Sequence, residues 1–375
     1  MKQKYFLILL GLILSSALIV GCGGGSKSNS SKLSSSYLTY LYVCTSGSSD
    51  LRIYSALTDG TISLVNTHTW GSGLSNYPII ATKTTPNSKY LALVYYDSSQ
   101  SAYILETYSI NQQTGDLDAP CGSFNLGTSQ PFTLLFTPDS KFLYLMDDQR
   151  NILGFSIKSN GALTYLWTMT GLNTLTVYNP ILTPDGKFLY APARDNNSKD
   201  NKIYIYEVNA NGALNFCNAY DTGRAPSSVV CYGDYVYIGH LDGIDQFRVV
   251  GPGSLSEPKT FTERQTSFCI LRCINQNGKY ILATDSSSNK IEVLKINPTD
   301  GTLTSKNTFT TAVSPVDFAL HPNNRLIYIS CNGNGITENL YSYSFNPDTA
   351  NISNGQGYSV GDTPCDISLA KIAIP

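Results

Sequence analysis

Charged residues and histidines are scarce in this sequence. Of the 375 residues, 14% are charged, the formal net charge is −2, and there are three histidines. Proteins that bind nucleic acid present a basic surface to the phosphates, so we expect no nucleic-acid partner. The histidines, His68, His240 and His321, are far apart, and the sequence contains no zinc, phosphate-loop or nucleophile-elbow motif. We therefore expect no metal and no cofactor.

Long apolar runs are also scarce, and the one that exists lies at the amino terminus. Lys2 and Lys4 precede the run Tyr5–Val20, whose sixteen residues barely span a bilayer, and no second run follows. A charged start, a short apolar stretch and small residues before a cleavage point are typical of a secretory signal. An uncleaved transmembrane helix is the alternative.

The residues around the predicted cleavage point, IVGC, resemble the lipobox of bacterial lipoproteins. The resemblance implies that residues 1–21 are removed and that Cys22 is acylated, which would anchor the protein to an envelope membrane. Residues 22–36 are rich in glycine and serine and are predicted to form a flexible tether, and residues 37–375 the folded part. The residue after Cys22 is glycine rather than the aspartate associated with inner-membrane retention, so we predict an outer-membrane or periplasm-facing location.

One short phrase returns along the folded part. It reads TPNSKYLALVYY from Thr85, TPDSKFLYLMDD from Thr137 and TPDGKFLYAPAR from Thr183, with more divergent copies later and a truncated copy from Thr39. Its marker residue stands at positions 39, 89, 141, 187, 234, 279 and 325, which are 45 to 52 residues apart. The chain therefore contains seven copies of one structural unit.

Each unit has the patterns of antiparallel strands. Asn211-Gly212 and Asp300-Gly301 are typical hairpin turns, and Lys290–Ile296 alternates apolar and polar residues. About four strands fit in a unit, and we find no convincing amphipathic helix. The sequence therefore predicts an all-β fold, a seven-bladed β-propeller with four-stranded antiparallel blades. The alternatives are a pair of β-sandwiches, which do not repeat in this way, and a β-solenoid, whose coils are shorter.

The two ends of the chain are expected to close the ring. The first unit begins near Tyr40 without an inner strand, whereas Thr363–Ala370 resembles the inner strands of other units. We predict that this C-terminal strand joins the N-terminal three in one blade. Cys44 and Cys365 would then lie in neighbouring antiparallel strands, so they are a candidate disulfide. The remaining cysteines are as well explained by packing in strands.

The phrase TPDGKFLY, its copies, the recurrent Asn-Gly-Ala-Leu turn and the seven units resemble the lactonase-type propellers, which include 6-phosphogluconolactonase-like and YVTN-repeat proteins. In that family a functional segment reads Pro-Arg-His, two variable residues and Phe-His-Pro, with the arginine and first histidine near the proposed lactone site. Residues 315–322 here read PVDFALHP. Val316 cannot hold an anionic substrate and Asp317 cannot replace a histidine at neutral pH. We expect His321 to support the turn before Pro322.

Polar residues are expected at the mouth of the central channel, where inner strands begin and their partners end. There we place Asp97, Asp147, Asp148, Arg194, Asp195, His240, Asp242, Asp285, Asp317 and Asp366. The predicted ligand-binding residues among them are Asp147, Arg194, Asp195, His240, Asp285 and Asp317. A ring of carboxylates could hold a cation or a basic, polar or sugar-like ligand. The alternative is that aspartates stabilise exposed turns there.

These observations favour a lipid-anchored propeller that binds a partner protein or a polar small molecule through its channel mouth or flat face. The alternative is a lactonase-like hydrolase of a sugar lactone, related to 6-phosphogluconolactonase. In that case His240 would be the base and Arg194 would hold the anionic group. Whether the protein is an enzyme stays open at this point.

Overall fold

The computed structural model describes residues 37–70, 78–170, 175–195, 201–263, 270–273, 278–285, 288–332 and 337–374. The predicted signal, Cys22 and the tether lie outside these ranges and stay predictions. Within the ranges the regular elements are β-strands, grouped in seven sheets. No helix in this part of the chain is long and apolar enough to cross a membrane.

The first four blades follow one another along the chain. Blade 1 contains Tyr37–Thr45 (β1), Asp50–Ala56 (β2), Ile62–Thr69 (β3) and the last strand, Pro364–Ala373 (β30). Blade 2 contains Ile79–Thr84 (β4), Tyr90–Asp97 (β5), Ala102–Ile110 (β6) and Leu117–Gly127 (β7). Blade 3 contains Pro131–Phe136 (β8), Phe142–Asp147 (β9), Ile152–Ile157 (β10) and Leu163–Met169 (β11). Blade 4 contains Leu175–Val177 (β12), Ile181–Leu182 (β13), Phe188–Asp195 (β14), Asn201–Val208 (β15) and Leu214–Asp221 (β16).

The remaining three blades continue the same order. Blade 5 contains Ser228–Tyr232 (β17), Tyr235–His240 (β18), Gly243–Gly251 (β19), Ser254–Leu255 (β20) and Lys259–Phe261 (β21). Blade 6 contains Ile270–Cys273 (β22), Tyr280–Asp285 (β23), Lys290–Ile296 (β24) and Leu303–Thr310 (β25). Blade 7 contains Pro315–Leu320 (β26), Leu326–Cys331 (β27), Leu340–Asn346 (β28) and Asn351–Tyr358 (β29).

The predicted seven-bladed propeller with four-stranded antiparallel blades is confirmed. In each blade the strands pair in sequence from the channel outward, except in the blade that closes the ring. Two blades have a strand in two pieces. In blade 4, β12 and β13 together form the inner strand, and in blade 5, β20 and β21 both pair with β19 on the outer side.

The closing blade has the predicted composition. Strand β30 pairs antiparallel with β1, with Leu369 opposite Leu41, so the last strand of the chain completes the sheet of the first three. At the start of β30, Cys365 is an extra residue in the ladder, because Pro364 pairs with Thr45 and the next pair joins Asp366 to Cys44. The sulfur atoms of Cys44 and Cys365 lie 2.7 Å apart and are not bonded. The disulfide stays a prediction.

The hydrophobic core lies between the blades. The described residues form seven apolar clusters, and each cluster joins one pair of neighbouring blades. In the first of them, Tyr42 and Ile53 of blade 1 pack with Leu91 and Leu93 of blade 2. A blade therefore buries both faces only when it has a neighbour on each side, which is why the closed ring stabilises every blade.

The recurrent TPDGK phrase builds the turn between the first two strands of a blade. In blade 3, Thr137 donates a hydrogen bond to Asp139 (2.7 Å) and accepts one from the amide of Phe142 (3.0 Å). In blade 7 the threonine position is His321, which is 1% exposed and whose Nδ1 accepts from the amide of Asn323 (3.1 Å). Burial lowers the pKa of His321. The structure thus places this histidine in the turn, as the sequence analysis expected.

An aromatic ring at the end of this turn locks each of several blades to the next. Phe142 of blade 3 lies against Gly212 of blade 4, and the hydroxyl of Tyr144 donates to the carbonyl of Gly212 (2.9 Å). The same ring-on-glycine contact recurs in other blade pairs, as Tyr40 on Gly115, Tyr90 on Gly161, Phe188 on Gly253 and Tyr235 on Gly301. The TPDGK phrase of one blade therefore supplies the aromatic residue, and a hairpin turn of the next blade supplies the glycine. We call this contact between blades the ring-on-glycine lock.

Replacing Gly212 with alanine is expected to destabilise the propeller strongly. The glycine has φ +80°, and an added Cβ would lie 2.4 Å from Phe142 Cδ1. Backbone strain costs about 1–2 kcal/mol, and displacing the packed ring adds about 1–3 kcal/mol. The matched control is Gly127→Ala, where φ is +71° but no atom lies within 4 Å. The midpoint of urea unfolding should fall much further for Gly212→Ala, and equal losses in both variants would contradict the lock.

Candidate functional site at the channel mouth

Four neighbouring inner strands share a β-bulge at their second residue. The extra residues are Ile80 in β4, Phe132 in β8, Val316 in β26 and Cys365 in β30. A bulge changes the direction of the side chains around it and is common next to functional sites. In β8 it brings Phe132 and Thr133, and in β26 Val316 and Asp317, to the lining of one cavity.

A cavity of about 360 Å³ begins at the channel end where these strands start and extends along β4 and β8 as far as Lys83 and Leu135. Its lining includes the bulged residues and the residues that follow them, which are Ile80, Ala81, Phe132, Thr133, Val316, Asp317, Cys365 and Asp366. Blade 4 also contributes to the lining, through Asn179, Pro180 and Ile181. The cavity is within the size range of small-molecule sites, about 300–1,000 Å³.

Two carboxyl groups meet in this cavity. Asp317 of blade 7 and Asp366 of blade 1 both line it, and one oxygen of each carboxyl group lies close to the same backbone amide, that of Ile367. The amide of Thr82 donates to Asp366 Oδ2 (2.9 Å), and the amide of Ile367 lies 3.0 Å from Asp366 Oδ1 and 3.1 Å from Asp317 Oδ2. Three blades therefore hold the pair in place, because Thr82 belongs to blade 2.

The environment of this pair favours the protonated form of Asp366. Burial raises the pKa of Asp366 well above its usual range, and the charge and hydrogen bond of Asp317 raise it further. Lys83, which lines the same cavity, acts in the opposite direction. One carboxyl group that keeps its proton beside one that is ionised can serve as an acid and a base in the same site.

His240, the predicted base, lies in a different environment. Its side chain is buried at the end of β18, and its Nε2 is 3.2 Å from Asp245 Oδ1. Asp245 also accepts hydrogen bonds from the hydroxyls of Thr222 and Thr260 (2.7 Å each). Although burial opposes it, the nearby His240 and the hydrogen bonds from the two threonines lower the pKa of Asp245. His240 does not line the channel cavity.

Two other predicted ligand-binding residues, Arg194 and Asp147, make local contacts and are not part of the cavity lining. Arg194 stacks on the ring of Tyr178 at 4.4 Å and donates to its hydroxyl (3.1 Å). Asp147 accepts from the amide (2.8 Å) and the side chain (2.9 Å) of Asn151. Asp195 and Asp285 end β14 and β23, and their side chains lie outside the described residues. Of the six predicted residues, the structure places Asp317 in the cavity.

Three further aspartates of the predicted mouth stabilise loops. Asp97 accepts from the hydroxyl of Ser99 (2.6 Å), and Asp148 accepts from the amide of Gln130 (3.0 Å). Asp242 forms an ion pair with Arg224 (2.6 Å). These contacts agree with the alternative explanation that aspartates at strand ends stabilise turns, whereas Asp317 and Asp366 lie side by side on neighbouring inner strands and line the cavity.

Sequence reasoning did not single out Lys83, and it placed Asp366 at the mouth without naming it as a ligand-binding residue. Lys83 is an exposed cation within a strand whose neighbours are buried. A charged side chain is rarely buried between blades, so a lysine in an innermost strand is expected to face the channel. This lysine was the sequence signal that could have identified a residue of the site. No cluster of three or more His, Cys, Asp or Glu side chains suited to a metal is present within the described part of the chain.

Comparison with known proteins identifies the family. The sequence matches the family described as lactonase, 7-bladed beta-propeller, over residues 105–243 and 258–369. The match covers more than half of the chain, so the protein belongs to this family. No protein of curated function matches the sequence significantly.

Solved structures of related fold include two lactonases by name. A periplasmic gluconolactonase of Pseudomonas aeruginosa superposes with a TM-score of 0.73 and 16% identity, covering 90% of this chain and 100% of that one. A putative 6-phosphogluconolactonase of Bacteroides uniformis superposes with a TM-score of 0.74 and 16% identity, covering 89% and 100% of the two chains. At this identity the likeness shows the fold alone.

The acidic pair is expected to make stability depend on pH. Because the pKa of Asp366 is raised in the folded state, folding favours its protonated form, and stability should fall as pH rises above the ordinary aspartate range of about 4. Asp317→Asn removes the neighbouring charge, so the variant should lose less stability between pH 5 and pH 8 than the wild type. Melting temperatures across this range test the effect.

The matched control for this experiment is Asp118→Asn, which removes an exposed carboxylate on the outer strand β7. The melting temperature of this control should change with pH in the same way as that of the wild type. If Asp317→Asn also follows the wild-type curve, the two carboxyl groups are not coupled.

Proposed function

We propose that this protein is a lactone hydrolase whose reaction takes place at the channel mouth, with Asp317 and Asp366 as the acid and base. Membership of the lactonase propeller family supports the reaction type. The observation that carries the proposal is the pair of neighbouring carboxyl groups in the channel cavity, which share contact with the amide of Ile367 and of which Asp366 has a raised pKa. Asp317 occupies the position of the first histidine in the family's functional segment.

The proposed reaction needs no group beyond the pair and water. The ionised carboxylate takes a proton from a water molecule, and the water oxygen forms a bond to the lactone carbonyl carbon. The bond between that carbon and the ring oxygen then breaks, and the neutral carboxyl group gives its proton to the departing oxygen. The product is a hydroxy acid, and the pair again holds one proton. The ammonium group of Lys83 would stabilise the negative charge that develops on the carbonyl oxygen.

A binding function without chemistry is the second candidate, and one observation favours it. Val316 and Asp317 stand where the family segment has arginine and histidine, so the groups near the family's proposed lactone site are not retained. In this case the cavity would hold a polar ligand between the carboxyl pair and Lys83. Both candidates use the same site and differ only in whether the ligand is converted.

The two candidates separate in an assay of lactone opening by the full-length protein in detergent. We expect hydrolysis above the buffer rate, and a loss of about 10²–10⁴-fold in kcat/KM for Asp317→Asn or Asp366→Asn. His240→Gln, if it folds, should keep most of the activity, because His240 lies away from the cavity. Activity that depends on His240 and not on the aspartates would overturn the proposal. Tight binding of a lactone without hydrolysis would support the binding candidate.

We also propose that the protein acts at the envelope membrane through acylated Cys22. The IVGC sequence and the polar residues 22–36 support this placement. In the native host, the wild type should partition into detergent and incorporate a radiolabelled fatty acid. Cys22→Ser should do neither, whereas Cys121→Ser, a change of a cysteine in blade 2, should behave as the wild type. Incorporation of the label into Cys22→Ser would refute the anchor.

A further inference from the structure

We propose that the channel mouth selects an uncharged cyclic ester that carries an apolar substituent, rather than a phosphorylated or acidic sugar lactone. This inference rests on the proposed function, since it names the substrate class of the same site. It follows from three properties of the cavity, which are the chemistry of the bulged residues, the balance of charge and the size.

The bulged residues form an apolar collar around the carboxyl pair. Ile80, Phe132 and Val316 occupy equivalent positions in three neighbouring inner strands and line the cavity. The fourth bulged residue, Cys365, also borders the cavity, but its sulfur lies against that of Cys44 in the core. Phe132 is 38% exposed although it lies in an innermost strand, so its ring faces the channel space. An exposed ring at a concave site gains free energy when an apolar group covers it.

The charges in the cavity disfavour an anionic substrate. Of the cationic side chains that the structure describes, Lys83 alone lines the cavity, and its charge already acts on Asp366. The lining thus combines two carboxyl groups with a single ammonium group. A phosphate or carboxylate group would face the ionised carboxylate without a guanidinium to hold it, since valine occupies position 316. The site is therefore suited to a substrate without net charge.

The cavity and the collar together limit the size and polarity of the substituent that the lactone ring can carry. A volume of about 360 Å³ is at the lower end of small-molecule sites, so it fits a small lactone ring with a short chain. The ester would contact Asp317 and Asp366, and the chain would lie against Phe132 and Val316. Each methylene buried there is worth about 0.8 kcal/mol, which corresponds to about fourfold in kcat/KM.

A homologous series of lactones tests this selection. The substrates are five-membered lactones whose alkyl side chain grows by one methylene at a time, compared with a sugar lactone and its phosphorylated form. We expect kcat/KM to rise about fourfold per methylene until the cavity is full, and the phosphorylated sugar lactone to be the poorest substrate. Calorimetric binding of the ring-opened or non-hydrolysable analogues provides a second readout.

Variants of the collar complete the test. Phe132→Ser and Val316→Ser should flatten the dependence on chain length, and Val316→Arg should improve the phosphorylated substrate relative to the alkyl series. The control is Leu166→Ser, a similar change at an exposed position on the outer strand β11, which should leave the dependence unchanged. Melting temperatures establish that each variant is folded.

The outcomes distinguish this inference from the proposed function. If the enzyme opens sugar lactones fastest and ignores chain length, the apolar selection is wrong while lactone hydrolysis stands. If no lactone is opened, the proposed reaction is wrong. The calorimetric affinities then test whether the cavity prefers lactones with longer alkyl chains. Affinity that rises with chain length and falls in Phe132→Ser would retain the collar as a binding site, and affinity without this dependence would overturn it.

Discussion

The contact between an aromatic ring and a glycine of the next blade holds this propeller together. Phe142 against Gly212 is one example, and the backbone of the glycine has a positive φ that leaves no room for a side chain beneath the ring. The ring belongs to the TPDGK phrase and the glycine to a hairpin turn. Blades 2 to 5 therefore each contribute a ring to the contact with one neighbouring blade and a glycine to the contact with the other. The spacing of the blades, and with it the width of the channel, follows from this packing.

The candidate site depends on closure of that ring. Asp366 lies on the last strand of the chain, Asp317 on the inner strand of blade 7, and Thr82, whose amide holds Asp366, on the inner strand of blade 2. The three residues meet because β30 fills the inner position of the first blade. A chain that failed to close would bring the two carboxyl groups together only at random.

The electrostatics of this mouth differ from those expected of the family segment. Val316 removes a cation and Asp317 adds an acid beside a second acid, Asp366. The charge of Asp317 raises the pKa of Asp366 and so favours its protonated form. The same four bulges that direct these side chains inward also present Ile80 and Phe132 to the channel. Acid–base chemistry and apolar recognition thus come from adjacent positions of one recurring backbone feature.

Local sequence determined the number of blades, their strands, the closure by the last strand and the turn role of His321, because repeats, hairpin glycines and alternation are properties of short segments. The meeting of Asp317 with Asp366, the burial of His240 beside Asp245 and the inward direction of Lys83 were decided by the tertiary structure. One extra residue in a strand moves the following side chains to another face, and whether it forms depends on the partner strand. The pattern of a single strand does not contain that information.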